Sequence, residues 1–168
     1  MRRRWAERVV AEAAVRPHEV VVDVGAGTGA LTQPLSRVAH EVVAIELHEG
    51  RARALRAAHG AQSGVRLVIG DVLTTPLPLR PYRVLANPPW AIATALVSKI
   101  TNPKTRLVRA DLVLPVPVVQ RWISSPPPGF AAGRGTYLPA AAFDPPARQD
   151  AAVLVLRRLP QGHRRYAR

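Results

Sequence analysis

The sequence predicts an α/β protein with a mostly parallel sheet and helices on both faces. Short β-branched runs alternate with stretches of helical period along nearly the whole chain. The first run closes on a glycine-rich turn that opens a helix, and later runs end in Glu46, Asp71 and Asn87. In an open parallel sheet those carboxyl ends gather along one crevice.

The elements follow in order. Residues 4–15, "RWAERVVAEAAV", carry apolar residues at helical spacing and stop before Pro17. "EVVVDVG" (19–25) is a short β-branched run ended by glycine, the pattern of a strand buried on both faces. A helix is expected from about Thr28 to Ala39, with Pro34 in its first turns, where a missing donor does least harm. "EVVAIEL" (41–47) reads as a second strand, "EGRARALRAAH" (49–59) as a helix, "VRLVIGD" (65–71) as a third strand and "YRVLAN" (82–87) as a fourth. Residues 91–100 then read as a helix, "ADLVLPV" (110–116) as a fifth strand and "VVQRWI" (118–123) as a short helix. Residues 124–147, rich in Pro, Gly and Ala, read as an irregular loop before a last strand, "DAAVLVLRR" (150–158). A basic tail occupies about 159–168.

At 168 residues the chain is expected to form one domain, 1–168. It contains no cysteine, which excludes disulfides, Cys-based zinc sites and thiol catalysis. No apolar run reaches the roughly 20 residues that span a bilayer. "MRRRWAERVV" lacks the apolar stretch and cleavage site of a signal peptide, so a cytoplasmic location is expected. Lys and Arg total 24 against 11 acids, almost all of the cations being arginine, a formal charge of +13. Such an excess points to a polyanionic partner, nucleic acid before anionic membrane, although a compositional bias toward Arg and Ala would produce the same figure.

Within "VVVDVGAGTGALT", Gly25, Gly27 and Gly29 fall at the strand-to-helix turn, where glycine permits tight backbone angles and lets N–H groups approach a ligand. Glu46 ends the second strand about 20 residues after the glycine turn, where a carboxylate can accept both ribose hydroxyl protons. Asp71 ends the third, where it could accept a bond from an adenine amino group. Together these describe a site for an adenosine-containing cofactor, with NAD and S-adenosylmethionine (SAM) both open at this point.

"NPPW" (87–90) enters the same crevice at the end of the fourth strand. An exocyclic amine on a nucleobase is a poor nucleophile because its lone pair is delocalised into the ring. An Asn side-chain oxygen and a backbone carbonyl, here that of Pro88, can each accept one of its N–H bonds and aim the lone pair at a methyl donor. Trp90 supplies a face on which the base stacks, and that base must be unpaired or flipped. A hydride-transfer enzyme has no use for this arrangement, so SAM is favoured over NAD.

These residues resemble the ribosomal RNA adenine N6-methyltransferase family, which includes dimethyladenosine transferases of the KsgA type and erythromycin-resistance (Erm) enzymes. The similarity runs from about residue 5 to 158: "VVVDVGAGTGALTQPLSRVAHEVVAIE", "GDVL", "NPPWAIATALV" and the late "LPAAAFDPPARQDAAVLVLRR" each match a family motif. The resemblance implies a Rossmann-like class I SAM-dependent methyltransferase fold. It places Gly25, Ala26, Gly27, Glu46, Leu47, Asp71, Val72 and Asn87 at the SAM site. Asn87 and Pro88 grip the target amine, Trp90 takes the family's aromatic place, and Phe143 lies beside the target base. It implies N6-methylation of an adenosine in ribosomal RNA, once or twice, as in macrolide-type antibiotic resistance. Two family features have no counterpart in these 168 residues: the Gln-Asn-Phe-Leu element and the C-terminal helical domain. Pro115-Val116-Pro117 stands where the family has Gln-Lys-Glu. The arginines of "MRRR" and "RRLPQGHRRYAR" are expected to replace part of the RNA contact that the helical domain supplies.

Two alternatives remain open. Asn-Pro-Pro-Trp also occurs in DNA adenine N6-methyltransferases, although the signature around Phe143 argues against them, and a non-catalytic RNA-binding or ribosome-assembly factor would keep the fold. His18, His40, His48, His59 and His163 show no metal-ligand spacing and read as surface residues, so no metal is expected. Trp5 and Trp122 read as packing residues, and Arg134 and Tyr137 as loop residues able to touch substrate. Neither membrane nor oligomeric partner is called for, and a monomer is the default.

Overall fold

A computed structural model of the protein describes residues 1–59 and 64–160. The tail from residue 161, with His163 and the last arginines, lies outside the described residues, as does the side chain of His59.

The chain runs α1 (Arg3–Ala13), β1 (Val20–Val24), α2 (Thr32–Leu35), β2 (Glu41–Glu46), α3 (Glu49–His59), β3 (Val65–Ile69), β4 (Tyr82–Ala86), α4 (Ala93–Ile100), β5 (Leu107–Pro115), α5 (Val116–Ser124), β6 (Phe130–Leu138) and β7 (Ala151–Arg158). Short 3-10 turns at Trp90–Ile92 and Ala140–Ala142 complete it. Among the described residues the strands form one sheet in the order β3-β2-β1-β4-β5-β7-β6. The first five pair in parallel, and β7 lies antiparallel between β5 and β6. This is the sheet of a class I SAM-dependent methyltransferase fold, and the expected α/β architecture with helices on both faces is present.

Strand alternation divides the core into two layers. Val22, Val24, Leu112 and Leu154 pack on the side of α4 and α5, with Leu96 and Ile100. Val21, Leu85, Val113 and Val153 pack on the side of α1 and α2, with Val9, Val10 and Leu35. β1 and β4 are buried along their whole length, which is why they read as unbroken apolar runs.

Three expectations are corrected. Residues 124–147 are not an irregular loop, because they contain β6 and the 3-10 turn before Phe143. Glycine disguises this strand. A Cβ on Gly135 would lie 3.2 Å from Val153 Cβ and 3.3 Å from Val155 Cγ2, so the edge strand needs glycine to approach β7. The register also shifts between Arg134 and Tyr137, which breaks the period-2 pattern.

Second, the helix expected over 28–39 shrinks to Thr32–Leu35. Gly27 and Gly29 hold φ of +59° and +97°, which keeps the chain out of the helical region.

Third, β5 begins at Leu107 rather than at residue 110, because Arg109 breaks the apolar run near its start. Arg109 and Asp111 belong to a buried network. The Arg83 guanidinium donates to Glu19 Oε2 at 2.9 Å, to Asp111 Oδ2 at 3.1 Å and to the Ala13 and Ala14 carbonyls at 2.6 and 3.2 Å. It thus caps α1, which ends at Ala14 in the left-handed region (φ 49°), and ties the helix to β4 and β5.

Candidate active site

The carboxyl ends of β1, β2 and β4, with the residues just beyond β3, open onto a cavity of about 760 Å³. Gly25, Glu46, Leu47, Asp71, Val72, Asn87, Pro88, Trp90 and Phe143, all expected from the sequence, line it.

Gly25 takes φ +67°, and a Cβ there would stand 3.2 Å from Pro89 Cδ. The glycine turn and the Asn-Pro-Pro turn are therefore in close contact. The amides of Gly25 and Ala26 donate to the Ile45 carbonyl at 2.9 and 3.2 Å, fastening the turn to β2. Glu46 is 2% exposed. Its Oε2 accepts the Gly27 amide at 2.8 Å and its Oε1 the His48 amide at 2.9 Å, with Arg51 Nη1 at 3.8 Å from Oε1. Each carboxylate oxygen has two acceptor positions, so a lone pair stays available for an adjacent pair of hydroxyls. Gly27 thus reaches the site through Glu46. Ala26 does not line the cavity, because its side chain packs against Ala44 and Leu55.

Asp71 stands two residues beyond β3, not within it, because the strand ends at Ile69. Its Oδ1 accepts the Leu73 amide at 2.8 Å, and its main-chain oxygen accepts the amides of Thr74 and Thr75. Lys99 from α4 donates to the carbonyls of Leu73 and Thr75 at 2.9 and 2.7 Å and pins this loop from below. Burial lowers the Lys99 pKa against the pull of Asp71.

Asn87 follows β4 directly, and no side-chain hydrogen bond engages its carboxamide among the described residues. Trp90 is half-buried and begins the 3-10 turn Trp90–Ile92. Its ring meets Phe143 edge-to-face, with centroids 6.1 Å apart and planes at 87°. Phe143 arrives from the β6–β7 connection and is held from two sides. Asp150 Oδ1 accepts the Ala140 amide at 2.8 Å, and Asp150 Oδ2 accepts the Tyr137 hydroxyl. Just before α1, the Arg2 amide donates to the Ala142 carbonyl at 2.8 Å and Arg2 Nε to the Phe143 carbonyl at 3.4 Å.

Sequence reasoning passed over several contributors. His48, Arg51 and Ile92 line the cavity, and Asp23 supports it from beneath. Asp23 accepts the Thr32 hydroxyl at 2.7 Å, bridging β1 to α2 around the glycine turn. Burial raises its pKa to about 7, opposed by the Thr32 bond and assisted by the charge of Glu46. A lone acid inside a valine run was the available signal. Trp5 and Trp122 pack against the two core layers, as expected. Among the described residues, no helix is long and apolar enough to cross a membrane.

Residues 3–130 match the profile of a family described as "Ribosomal RNA adenine dimethylase". The "Ribosomal RNA small subunit methyltransferase A" of Laribacter hongkongensis is 30% identical over 164 residues, 87% of this chain and 62% of that protein. An "rRNA methyltransferase" of Streptomyces thermotolerans is 37% identical over 111 residues, 66% of this chain and 37% of that one. The chain thus spans less than two thirds of the length of either relative. Among solved structures, the 23S rRNA methyltransferase ErmE superposes with a TM-score of 0.85 at 24% identity, covering 95% of this chain and 69% of ErmE. That likeness speaks for the fold.

Proposed function

Because the chain belongs to the ribosomal RNA adenine dimethylase family, we propose that it transfers methyl groups from S-adenosylmethionine to the N6 atom of an adenosine in ribosomal RNA. One observation carries the reading: an unengaged Asn87 carboxamide opens into the same cavity as a buried, half-satisfied Glu46.

The donor set fits the cofactor. Glu46 offers two acceptor positions to ribose hydroxyls, Asp71 an acceptor near the adenine amino group, and Leu47 and Val72 apolar contacts for the adenine ring. A cavity of about 760 Å³ lies within the usual range for small-molecule sites, about 300–1,000 Å³. When bound, S-adenosylmethionine supplies an electrophilic methyl on a positively charged sulfur.

The chain's own residues orient the acceptor. Asn87 Oδ1 and the Pro88 carbonyl accept the two N–H bonds of the exocyclic amine, which draws the nitrogen lone pair out of conjugation and fixes its direction. Pro88 and Pro89 stiffen that turn, so the acceptors are in place before the base arrives. Trp90 stacks on the purine, a contact worth about 1–3 kcal/mol per base. Phe143 braces the indole from its edge.

The test is tritiated-methyl transfer to total ribosomal RNA, followed by mapping of the labelled nucleotide. Asn87→Ala is expected to lower turnover about 10²–10³-fold at saturating S-adenosylmethionine, the loss seen when one preorganised hydrogen-bonding group is removed. Labelling of DNA in preference to RNA, or no labelling by a chain that binds the cofactor, overturns the reading. The mapped position also distinguishes one methyl from two, and a large-subunit adenosine at a macrolide site from a small-subunit one.

A further inference from the structure

A second cavity, of about 400 Å³, lies away from the active site, between α1 and the sheet face of β5, β7 and β6. On this face α1 covers Val113 and Val153 but leaves Val155 partly open. Ala131, Gly133 and Gly135 of β6 raise little or no side chain above the floor, and space above Gly133 is free. The result is a groove with a small-residue floor and a charged rim.

The rim carboxylates are already satisfied. Glu12 is paired with Arg8 at 2.9 Å and accepts the Thr136 hydroxyl. Asp111 is held by Arg83 at 3.1 Å and Arg109 at 2.5 Å. Arg134 and Arg157 are exposed and have no acidic partner among the described residues. Arg157 also stands directly opposite Arg109 in the β5–β7 ladder. Asp111 already compensates Arg109, so the charge left for an anion at this end of the groove is that of Arg157.

Helix α1 relates the groove to the active site. Just before the far end of that helix, the Arg2 amide and Nε touch the segment carrying Phe143. Between the two ends, Trp5 is flanked by the guanidiniums of Arg4 and Arg8, 5.8 and 5.6 Å from its ring centroid. Eleven helical residues span about 16 Å, the reach of a few nucleotides.

We propose that this groove docks the sugar-phosphate backbone of the substrate RNA, with Arg134 and Arg157 contacting phosphates while the target adenosine occupies the distant cavity. The inference rests on the function proposed above. It adds to the expectation drawn from "MRRR": of those arginines Arg3 is paired with Glu7, whereas Arg134 and Arg157 have no acidic partner among the described residues. An anionic membrane is the weaker occupant, because the arginines rim a concave groove rather than a flat apolar face.

The experiment compares Arg134→Ala/Arg157→Ala with a control, Arg37→Ala/Arg56→Ala, that removes the same charge elsewhere. Affinity for a fluorescein-labelled RNA stem-loop is measured by anisotropy across a salt series, alongside calorimetric binding of S-adenosylmethionine. Losing two phosphate contacts is expected to flatten the log K against log salt slope by about 1.4–1.8. KM for RNA should rise, with cofactor affinity and kcat at saturating RNA unchanged and the control pair silent. An unchanged slope in a groove variant that still binds cofactor overturns the proposal, as does an equal effect in the control. Loss of binding to phosphatidylserine vesicles with RNA affinity intact also overturns it, in favour of a membrane. A wild-type chain that binds RNA through the groove yet transfers no methyl group sinks the proposed activity alone, so the two failures are distinguishable.

Discussion

Asp23 is an acid at 1% exposure inside a strand of valines, satisfied by one hydroxyl. Burial raises its pKa to about 7 in the folded protein from an ordinary value of 3.8. The folded state therefore holds a proton that the unfolded chain releases between about pH 4 and 7. Stability contributed through this group is present below that window and falls as pH rises through it. Glu12 and Glu19 act in the opposite sense at lower pH, since their hydrogen bonds hold them below the usual carboxylate range. Subtracting the urea stability of Asp23→Asn from that of the wild type isolates the effect: the difference should decline from pH 4 to 7 and then level off. A flat difference would mean that Asp23 ionises as freely in the fold as outside it. Gly25 makes a separate prediction. Alanine there must adopt φ +67° and press against Pro89. The left-handed conformation costs about 1–2 kcal/mol, a loss of about 2–8 °C in Tm for a chain of this size. Because the displaced turn borders Glu46 and Asn87, cofactor affinity should fall about tenfold, equivalent to about 1.4 kcal/mol.

At the scale of elements, positions fixed by a strand end were readable and those fixed by pairing were not. Glu46 and Asn87 could be placed because a β-branched run announces where its carboxyl end falls. The Asp23–Thr32 bridge and the Arg83 clamp could not, because their partners come from other elements at intervals that match no period. β6 was missed for a related reason, since Gly135, which allows its approach to β7, is a residue that argues against a strand. That strand matters to the site because the connection after it delivers Phe143. Asp150, just before β7, closes the connection through the Tyr137 hydroxyl and the Ala140 amide, and those bonds hold its own pKa down. Asp150→Ala should release the Phe143 wall, raising KM for RNA several-fold with cofactor affinity unchanged. Asp150→Asn keeps one acceptor for Ala140 and should recover most of the loss. Equal KM values for both variants and the wild type would mean that the wall needs no such anchor.

Across the whole molecule, helix–strand alternation sufficed to identify a parallel sheet, whereas the antiparallel insertion of β7 between β5 and β6 follows from a hairpin that composition concealed. The cavity that results gathers residues from position 24 to position 143 and so couples ligand binding to β1, β2 and the connections after β3, β4 and β6. A ligand that binds only the folded state at 100 times its Kd stabilises by about 2.7 kcal/mol. For a chain of this length that is about 5–11 °C in Tm. S-adenosylmethionine is expected to produce this shift and NAD to produce none, since nothing in the cavity answers a nicotinamide. Glu46→Gln sharpens the test. A carboxamide can present only one oxygen, so its NH2 must face either the Gly27 or the His48 amide, donor against donor. The ribose end of the cavity is then deformed without loss of volume, and the thermal shift should shrink to below about 2 °C. A full shift in that variant would mean that the carboxylate holds only its own loop, and that the adenosine is recognised elsewhere along the crevice.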